Sequence, residues 1–442
     1  MTRPRLPLLS LPLEDLACIA IFCFFAMQGA IPGIAPPAAH EMSGAAFTTL
    51  STVGGIASQA AVDALIVILL LRAPRLLLDQ ILCVPWAALL AALAVASTLW
   101  SIDPLLTVRR AVPFALTGLF GLWFGARFSA ERQMRILRLT MACLALATIA
   151  FVILAPSLAL DHAAGHGTDW QGVFTQKNAC GRIMVLATAV LLFGPRLTLR
   201  RTALLGLFLF TLIMSGSRAA WAIEAAFLLV WLTYNIGRRS APRIRLLMAV
   251  TAPLVLAAAA VLGLRFFSQI MHFLDREPTL SGRTAIWTEV LHAIAQRPLF
   301  GYGFAAFWHG MRGPSLQIDA AVHFVVEHAH NGFLEIALEL GLAGLALFLI
   351  SWILAWCRLW PLWRAGRLSR VAFPLALLVL ILLYDLEENT LLLYNGLFWP
   401  LYVASLATIE FAWREQRHTQ RAARHAILTA HASLPHALQE TP

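Results

Sequence analysis

The chain has 442 residues, of which 60% are hydrophobic and only 13% are charged, and its mean hydropathy is +0.76. Soluble domains carry about a quarter charged residues, so this composition excludes an ordinary soluble enzyme or binding domain. The net charge of +10 does not require a nucleic-acid partner, because a basic surface facing anionic membrane lipids accounts for it.

Apolar runs long enough to cross roughly 30 Å of hydrocarbon recur along the whole chain. Backbone polar groups cannot stay unpaired in lipid, so each run is predicted to be a helix. We therefore predict an all-α, polytopic integral membrane protein, a single membrane domain over residues 1–442 with about twelve transmembrane helices. The predicted spans are residues 16–35, 52–71, 78–99, 111–126, 139–156, 179–194, 202–215, 219–236, 246–264, 333–356, 371–385 and 391–411.

Clusters of arginine fall in every second gap between these spans, and both termini belong to the same set. Positively charged loops stay in the cytoplasm. We therefore predict that both termini are cytoplasmic, including a tail over residues 414–442. The long gap over residues 265–331 is then a periplasmic loop, and the helical spacing of its apolar residues predicts an amphipathic helix that begins near Arg283.

Ten basic residues lie on the non-cytoplasmic side of this topology. They predict an anionic ligand, and arginine suits phosphate because its planar fork makes two charge-assisted hydrogen bonds at once. Arg182, Arg218 and Arg283 each lie in a short polar motif at a helix end and are the predicted ligand-binding residues. Contacts with lipid headgroups or nearby acids explain six others, which are Arg109, Arg110, Arg265, Arg276, Arg297 and Arg312. The tenth is Lys177, the only lysine in the chain.

The predicted loop ends at His330 and Asn331, directly before an apolar helix. The positive end of that helix disfavours imidazolium, so a neutral His330 could act as a general base. Two alternatives stay open: His330 and Asn331 only cap the helix, or His323, His328 and His330 bind a metal ion.

Two carboxylates follow the histidine on the same helix. Glu335 and Glu339 are four residues apart, so they share one helix face just below His330. They are candidates for tuning the histidine, and hydrogen bonding between helices is the alternative explanation.

Four motifs in chain order resemble the O-antigen ligase and O-antigen polymerase superfamily of bacterial envelope glycan assembly, over roughly residues 100–399. They are residues 172–182 (GVFTQKNACGR), residues 215–221 (SGSRAAW), residues 282–287 (GRTAIW), and His330-Asn331 followed by nine residues, Gly341, two residues and Gly344. Within the superfamily, residues 100–104 with Arg109-Arg110 resemble exopolysaccharide polymerases of the succinoglycan type more than lipid A-core ligases.

The resemblance implies a metal-independent glycosyltransferase of the bacterial inner membrane that uses no cofactor. Its donor would be a polyprenyl-diphosphate-linked oligosaccharide. His330 would be the base, while Arg218 and Arg283, supported by Arg182, would bind the diphosphate. Asn331, Lys177, Glu335 and Glu339 complete the predicted site in supporting roles.

The predicted function is a polymerase that joins lipid-linked repeat units with inversion at the anomeric carbon. Its expected partners are membrane lipids, a flippase and a chain-length regulator, with no nucleic acid. A ligase that transfers the glycan to lipid A-core is the first alternative. A transporter or flippase is the second, and it would favour internal repeats and helices broken at mid-membrane.

Overall fold

The computed structural model describes residues 12–29, 49–161, 168–194, 198–239, 283–309, 313–323, 325–366 and 371–432. Over these ranges the secondary structure is helical, apart from one isolated β-bridge between Leu160 and Trp170. The predicted all-α fold class is confirmed.

The described helices are α1 (Leu13–Ala26), α2 (Thr49–Leu71), α3 (Pro74–Cys83), α4 (Pro85–Ala96), α5 (Pro104–Arg127), α6 (Ala130–Leu154), α7 (Pro156–Ala159), α8 (Lys177–Leu192), α9 (Leu199–Met214), α10 (Arg218–Arg239), α11 (Arg283–Gln296), α12 (Ser315–Val322), α13 (Gly332–Arg364), α14 (Ala372–Asp385) and α15 (Phe398–Ala432).

Several of these helices are long and apolar enough to cross a membrane. In the described part of the chain, five meet this condition, namely α2, α5, α6, α10 and α13. The pair α3 and α4, which meet at a 98° bend, forms a sixth span if the two cross together. The chain is a multi-pass membrane protein, and the described helices yield fewer spans than the predicted count of about twelve.

Two predicted spans differ from the structure in their local course. The span predicted over residues 78–99 is wrong as a single helix, because it is broken between α3 and α4 at Pro85. Proline lacks the N–H that a continuing helix needs and its ring clashes with the preceding turn. The helix predicted over residues 16–35 ends at Ala26, and residues 30–35 lie outside the described ranges.

The last predicted span is displaced along the chain. Residues 386–397 form an irregular loop, so the helix predicted over 391–411 begins only at Phe398. That helix continues to Ala432, and a large part of the predicted tail is therefore helical. The span predicted over residues 246–264 lies outside the described residues.

Helices α5 and α15 pack along each other more extensively than any other described pair. A Cβ at Gly121 of α5 would lie 2.4 Å from the carbonyl oxygen of Pro400, and one at Gly125 would lie 2.6 Å from that of Ala404. In lipid, helix association depends on close van der Waals packing, which small residues permit. These glycines allow the two backbones to touch.

Two buried acids on other helices, Asp15 and Glu410, are paired with arginines. Asp15 on α1 is fully buried and accepts hydrogen bonds from Arg132 and Arg135 of α6. Glu410 of α15 pairs with Arg358, near the end of α13 farthest from His330. These arginines belong to the clusters predicted to face the cytoplasm.

Helix α13 is broken at Gly341, where the backbone has φ 69° and ψ −170°. This conformation is essentially restricted to glycine. A Cβ there would lie 2.2 Å from the carbonyl oxygen of Leu299. Only a glycine permits both the break and the close approach of the crossing segment.

The segment 298–303 crosses α13 at this break and pairs with the freed backbone groups. The amide of Leu342 donates to the carbonyl of Pro298 at 2.8 Å, and the amide of Tyr302 donates to the carbonyl of Leu338 at 3.0 Å. Backbone groups inside a membrane protein need such partners. Gly341, the first glycine of the motif that begins with His330-Asn331, therefore allows the segment 298–303 to form hydrogen bonds with the helix.

We expect Gly341→Ala to destabilise the protein strongly. The backbone conformation alone costs a non-glycine residue about 1–3 kcal/mol, and the overlap with Leu299 adds to that cost. Thermal unfolding in detergent measures the effect. Gly206→Ala on α9 is the control, because a Cβ there meets no atom within 4 Å. Equal unfolding temperatures for both variants would show that the break is not required.

Candidate functional site

The described part of the segment predicted as a loop over 265–331 is folded. The predicted amphipathic helix is confirmed as α11, and α12 is a further helix that the sequence reading did not predict. Together they enclose a small second apolar core that includes Ile286, Phe307 and Ile318. The indole N–H of Trp287 donates to the carbonyl oxygen of Ala329 at 2.9 Å, which fixes the backbone between the two histidines of the motif.

His330 has a positive φ of 49°, a left-handed conformation that is uncommon outside glycine and is often found at functional sites. The side chain of Asn331 caps α13, because its Oδ1 accepts hydrogen bonds from the amides of Phe333 at 3.1 Å and Leu334 at 3.0 Å. Asn331 is therefore the N-cap of α13, and its Nδ2 also donates to the carbonyl oxygen of Leu386 at 3.3 Å. The imidazole of His330 turns away from the cap toward Glu388.

Glu388, in the loop that follows α14, lies at the centre of the site. Its Oε1 is 3.1 Å from Nδ1 of His330, and its Oε2 is 2.7 Å from Nε2 of His328. An ionised carboxylate can only accept hydrogen bonds, so both of these ring nitrogens carry the proton. In neutral His330, the free lone pair is then on Nε2.

The negative charge of Glu388 and the positive charge of protonated His328 stabilise each other. Burial alone would raise the pKa of Glu388, but hydrogen bonds from His328 and His330 and the charge of His328 hold that pKa well below its ordinary value. Burial lowers the pKa of His328, whereas the hydrogen bond and charge of Glu388 raise it, and the net pKa lies above the ordinary value. Glu388 is therefore the anionic centre of the site.

Arg283 is the first residue of α11 and joins the same cluster. Its guanidinium donates to Glu387 at 2.8 Å and to Glu388 at 3.4 Å. Its side chain is 19% exposed. The structure thus brings Arg283 and His330, two of the predicted site residues, together on one carboxylate.

Arg182 of α8 is buried, with 8% of its surface exposed, and it makes no hydrogen bond or ion pair with a described residue. It lines a small cavity together with Glu387 and Glu388. The other lining residues are Gln176, Asn178, Ser217, Ala219, Ala220 and Tyr384. A buried cation without a hydrogen-bonded acid is costly, and the described residues supply none, so the side of the cavity formed by Arg182 is suited to an anion.

Arg218 begins α10, and its neighbours Ser217 and Ala219 line the same cavity. The Arg218 side chain is exposed and makes no hydrogen bond or ion pair with a described residue. Arg218 is therefore an exposed cation at a position adjacent in sequence to lining residues of the cavity, whereas Arg182 is itself a lining residue.

The remaining predicted residues, Lys177, Glu335 and Glu339, have their described bonds outside the cluster. Lys177 pairs with Asp169 at 2.8 Å and lies 3.8 Å from Asp161. Its charge is therefore neutralised by acids of the loop that precedes α8. Glu335 is buried and accepts from Trp308 and from the amide of Ala329. Glu339 is buried next to it. Neither acid contacts His330, and their described bonds support the loop that carries it.

Sequence reasoning missed Glu387, Glu388 and the role of His328. A signal was present, because two adjacent acids lie in a short gap on the same predicted side as the uncompensated arginines. That gap is 58 residues from His330, and local patterns do not reveal which distant loop approaches a motif.

A metal ion could be held by one group among the described residues, namely His328, His330 and Glu388, whose ligand atoms lie within 4.8 Å of one another. His323, considered in the sequence reading, is not a member. Two histidines and a carboxylate can bind zinc. The guanidinium of Arg283, 3.4 Å from Oε1 of Glu388, already supplies positive charge at this position and would repel a cation.

Comparison with known protein families confirms the resemblance found in the motifs. Residues 202–349 match the family described as "O-Antigen ligase". The matched range contains Arg218, Arg283 and His330. It covers fewer residues than the resemblance based on the motifs, which runs over roughly residues 100–399. Arg182 and Glu388 lie outside it.

Three relatives match shorter segments. A "Putative polysaccharide ligase" of Rickettsia prowazekii is 41% identical over 80 residues, which is 17% of this chain and 20% of the relative. Its counterpart in Rickettsia typhi is 39% identical with the same coverage. "Exopolysaccharide production protein ExoQ" of Rhizobium meliloti is 32% identical over 114 residues, 25% of this chain and 26% of the relative. The chain thus spans about a fifth to a quarter of the length of the relatives it matches.

Proposed function

We propose that the protein is a glycosyl-transferring polymerase of the bacterial inner membrane that joins polyprenyl-diphosphate-linked oligosaccharide units on the periplasmic face. The observation that carries this proposal is the position of Arg182, which is buried, makes no hydrogen bond or ion pair with a described residue and lines the same cavity as Glu388. Glu388 in turn orients His330. A site for a leaving diphosphate and a base for an acceptor hydroxyl therefore adjoin each other.

The reaction is a single displacement. Nε2 of His330 takes the proton from an acceptor sugar hydroxyl, and the oxygen attacks the anomeric carbon of the donor. The bond between that carbon and the phosphate oxygen breaks, and its electron pair leaves on the polyprenyl diphosphate. The carboxylate of Glu388, hydrogen-bonded to Nδ1, stabilises the imidazolium that forms. Attack from the opposite face inverts the anomeric centre.

The three arginines have different parts in this scheme. Arg182 and the neighbouring Arg218 both bind the diphosphate, so both stabilise the charge that grows on the leaving group. Arg283 is already paired with Glu387 and Glu388. It holds these acids in place and turns its remaining donors toward the diphosphate.

Glu388→Gln should show that the carboxylate and His330 act as one unit. The amide keeps the shape but loses the charge, so we expect a lower kcat, by about 10²-fold or less. The double variant with His330→Ala should be no slower than His330→Ala alone, because residues that act together are not additive. If the rate losses of the two single variants instead multiply in the double variant, Glu388 and His330 do not act as one unit.

The transporter alternative is less well supported. Two helix breaks occur among the described spans, at Pro85 and Gly341. The break at Gly341 is filled by backbone hydrogen bonds from residues 298–303, whereas a transport site would leave such groups facing the substrate. The charged cluster also lies at the helix ends, at the start of α13 and after α14.

One experiment separates polymerase from ligase. Purified protein receives a short polyprenyl-diphosphate oligosaccharide alone, and then the same donor with lipid A-core added. Lengthening of the glycan without core lipid supports the polymerase, which is favoured by the likeness to a protein named for exopolysaccharide production. Transfer only in the presence of core lipid supports a ligase, the activity in the names of the Rickettsia relatives.

Chelators should leave the activity unchanged. In the proposed site, Arg182, Arg218 and Arg283 neutralise the diphosphate, a role that Mg²⁺ performs in many phosphate-handling enzymes. The assay compares turnover in EDTA with turnover in added Mg²⁺, Mn²⁺ or Zn²⁺. Loss of activity in EDTA and its return with one metal would instead assign His328, His330 and Glu388 as metal ligands.

A further inference from the structure

The backbone that leads into His330 is held by two hydrogen bonds, one to each peptide group of Ala329. The amide of Ala329 donates to Oε2 of Glu335 at 2.7 Å, and its carbonyl oxygen accepts from the indole of Trp287 at 2.9 Å. The first bond orients the peptide between His328 and Ala329. The second orients the peptide between Ala329 and His330, so the segment is fixed from two directions.

This double support bears on the conformation of His330, whose φ is +49°. A residue other than glycine keeps such a backbone only where the surrounding structure over-determines it. The peptide before His330 sets the direction in which the side chain leaves the main chain, because φ is the rotation about the bond that joins them. Glu335 therefore acts on the imidazole through the backbone, without touching it.

The bonds of Glu335 require an ionised carboxylate. Its Oε1 accepts from the indole of Trp308 at 2.7 Å, while its Oε2 accepts from Ala329. Both oxygens thus face N–H donors, and the residue is only 1% exposed. A glutamine here would offer one oxygen, and its NH₂ group would face the other N–H donor.

Glu339 supplies the proton that stabilises this buried charge. It lies one helical turn after Glu335, is 3% exposed, and its carboxyl group is hydrogen-bonded to that of Glu335. Two carboxyl groups form such a bond only when one of them carries a proton. Because both oxygens of Glu335 already accept N–H groups, the proton is on Glu339. The backbone of Ala305 and the charge of Arg110 also act on the Glu339 carboxyl group.

We propose that Glu335, ionised and hydrogen-bonded by neutral Glu339, is a positioning residue for the base, because it holds the backbone that directs the imidazole of His330 toward Glu388. This proposal rests on the proposed function and deepens it by naming what keeps the base in place. A misplacement of about 1 Å slows an enzymatic reaction by about 10²-fold, so a residue that touches no substrate can control the rate.

Glu335→Gln tests the carboxylate. Glutamine can accept from only one of Trp308 and Ala329, so we expect kcat for glycan lengthening to fall about 10–100-fold. The KM for the donor should change by less than about twofold, because the loss is confined to the transition state. Glu131→Gln, at an exposed position on α6, is the control and should change neither constant.

Glu339→Gln is the matched partner of this variant. Its amide N–H replaces the O–H that donates to Glu335, so it should keep about a third of kcat or more. Full kcat in Glu335→Gln, or equal losses in the two glutamine variants, would overturn the positioning role while the proposed function stands. If the unmodified protein lengthens no glycan, the proposed function fails and the positioning role fails with it.

Two further measurements keep the test independent of activity and of folding. The infrared difference between the unmodified protein and Glu339→Gln should contain the C=O band of a protonated carboxyl group, and its absence would overturn the proposal. Should Glu335→Gln not fold, Trp287→Phe removes the other bond to Ala329 and should lower kcat in the same way. Trp231→Phe, which loses a similar bond to the carbonyl oxygen of Leu192, should not. Equal kcat in these two variants would count against the proposal.

Discussion

His330→Ala should lower kcat for glycan lengthening by about 10²–10⁴-fold, the usual effect of removing a general base. The KM for the donor should change little, because the imidazole acts on the acceptor hydroxyl and not on the diphosphate. The fold should persist, since the backbone here is held by the cap of Asn331 and by Trp287. At the positive φ of position 330, replacing histidine with alanine should lower the free energy of unfolding by about 1 kcal/mol at most.

His292→Ala is the matched control for this variant. His292 lies on α11 and is 70% exposed, with only a loose approach to Glu289 at 3.7 Å. Both variants are compared in detergent for unfolding temperature and for elongation of a labelled donor. Full activity in His330→Ala would exclude the proposed base. Equal losses in both variants would indicate disruption of the α11 segment and not of catalysis.

The helical fold could be predicted from the sequence because hydrocarbon imposes one local rule on every span. The boundaries of α2, α9 and α14 lie within three residues of those predicted. Local rules fail where a tertiary contact overrides them. The start of α15 is delayed to Phe398, although the preceding residues are apolar, because residues 386–397 form the loop that brings Glu388 to the site.

The candidate site was predicted in part. The motif containing His330 could be read because a helix start and its cap are local. The pairing of His330 with Glu388 spans 58 residues, and no periodicity encodes such a contact. The burial of Arg182 is equally invisible in a sequence, since an arginine at a helix end is usually exposed. Sequence reasoning gives Arg182 a role secondary to that of Arg218, and we propose the reverse order because, of the two, only Arg182 lines the cavity.

Arg182→Met should separate stability from function. Methionine keeps much of the side-chain volume but removes a charge that is 92% buried and has no described ion pair. Replacing such a charge with an apolar side chain is often neutral or stabilising, so the unfolding temperature should not fall. The kcat/KM for the donor should fall by about 10²–10³-fold, the usual loss when one donor to a developing anion is removed.

Two further variants, Arg182→Lys and Arg358→Met, test whether the charge, its geometry or the stability of the fold matters. Lysine keeps the charge but not the planar fork, so its activity should lie between those of the original protein and Arg182→Met. Arg358→Met removes one of the cations beside Glu410, which is 2% exposed, so it should lower the unfolding temperature. Because Arg358 lies at the far end of α13, the activity per folded molecule should be unchanged. If Arg182→Met instead loses stability as Arg358→Met does, Arg182 is a structural residue and the diphosphate must bind elsewhere.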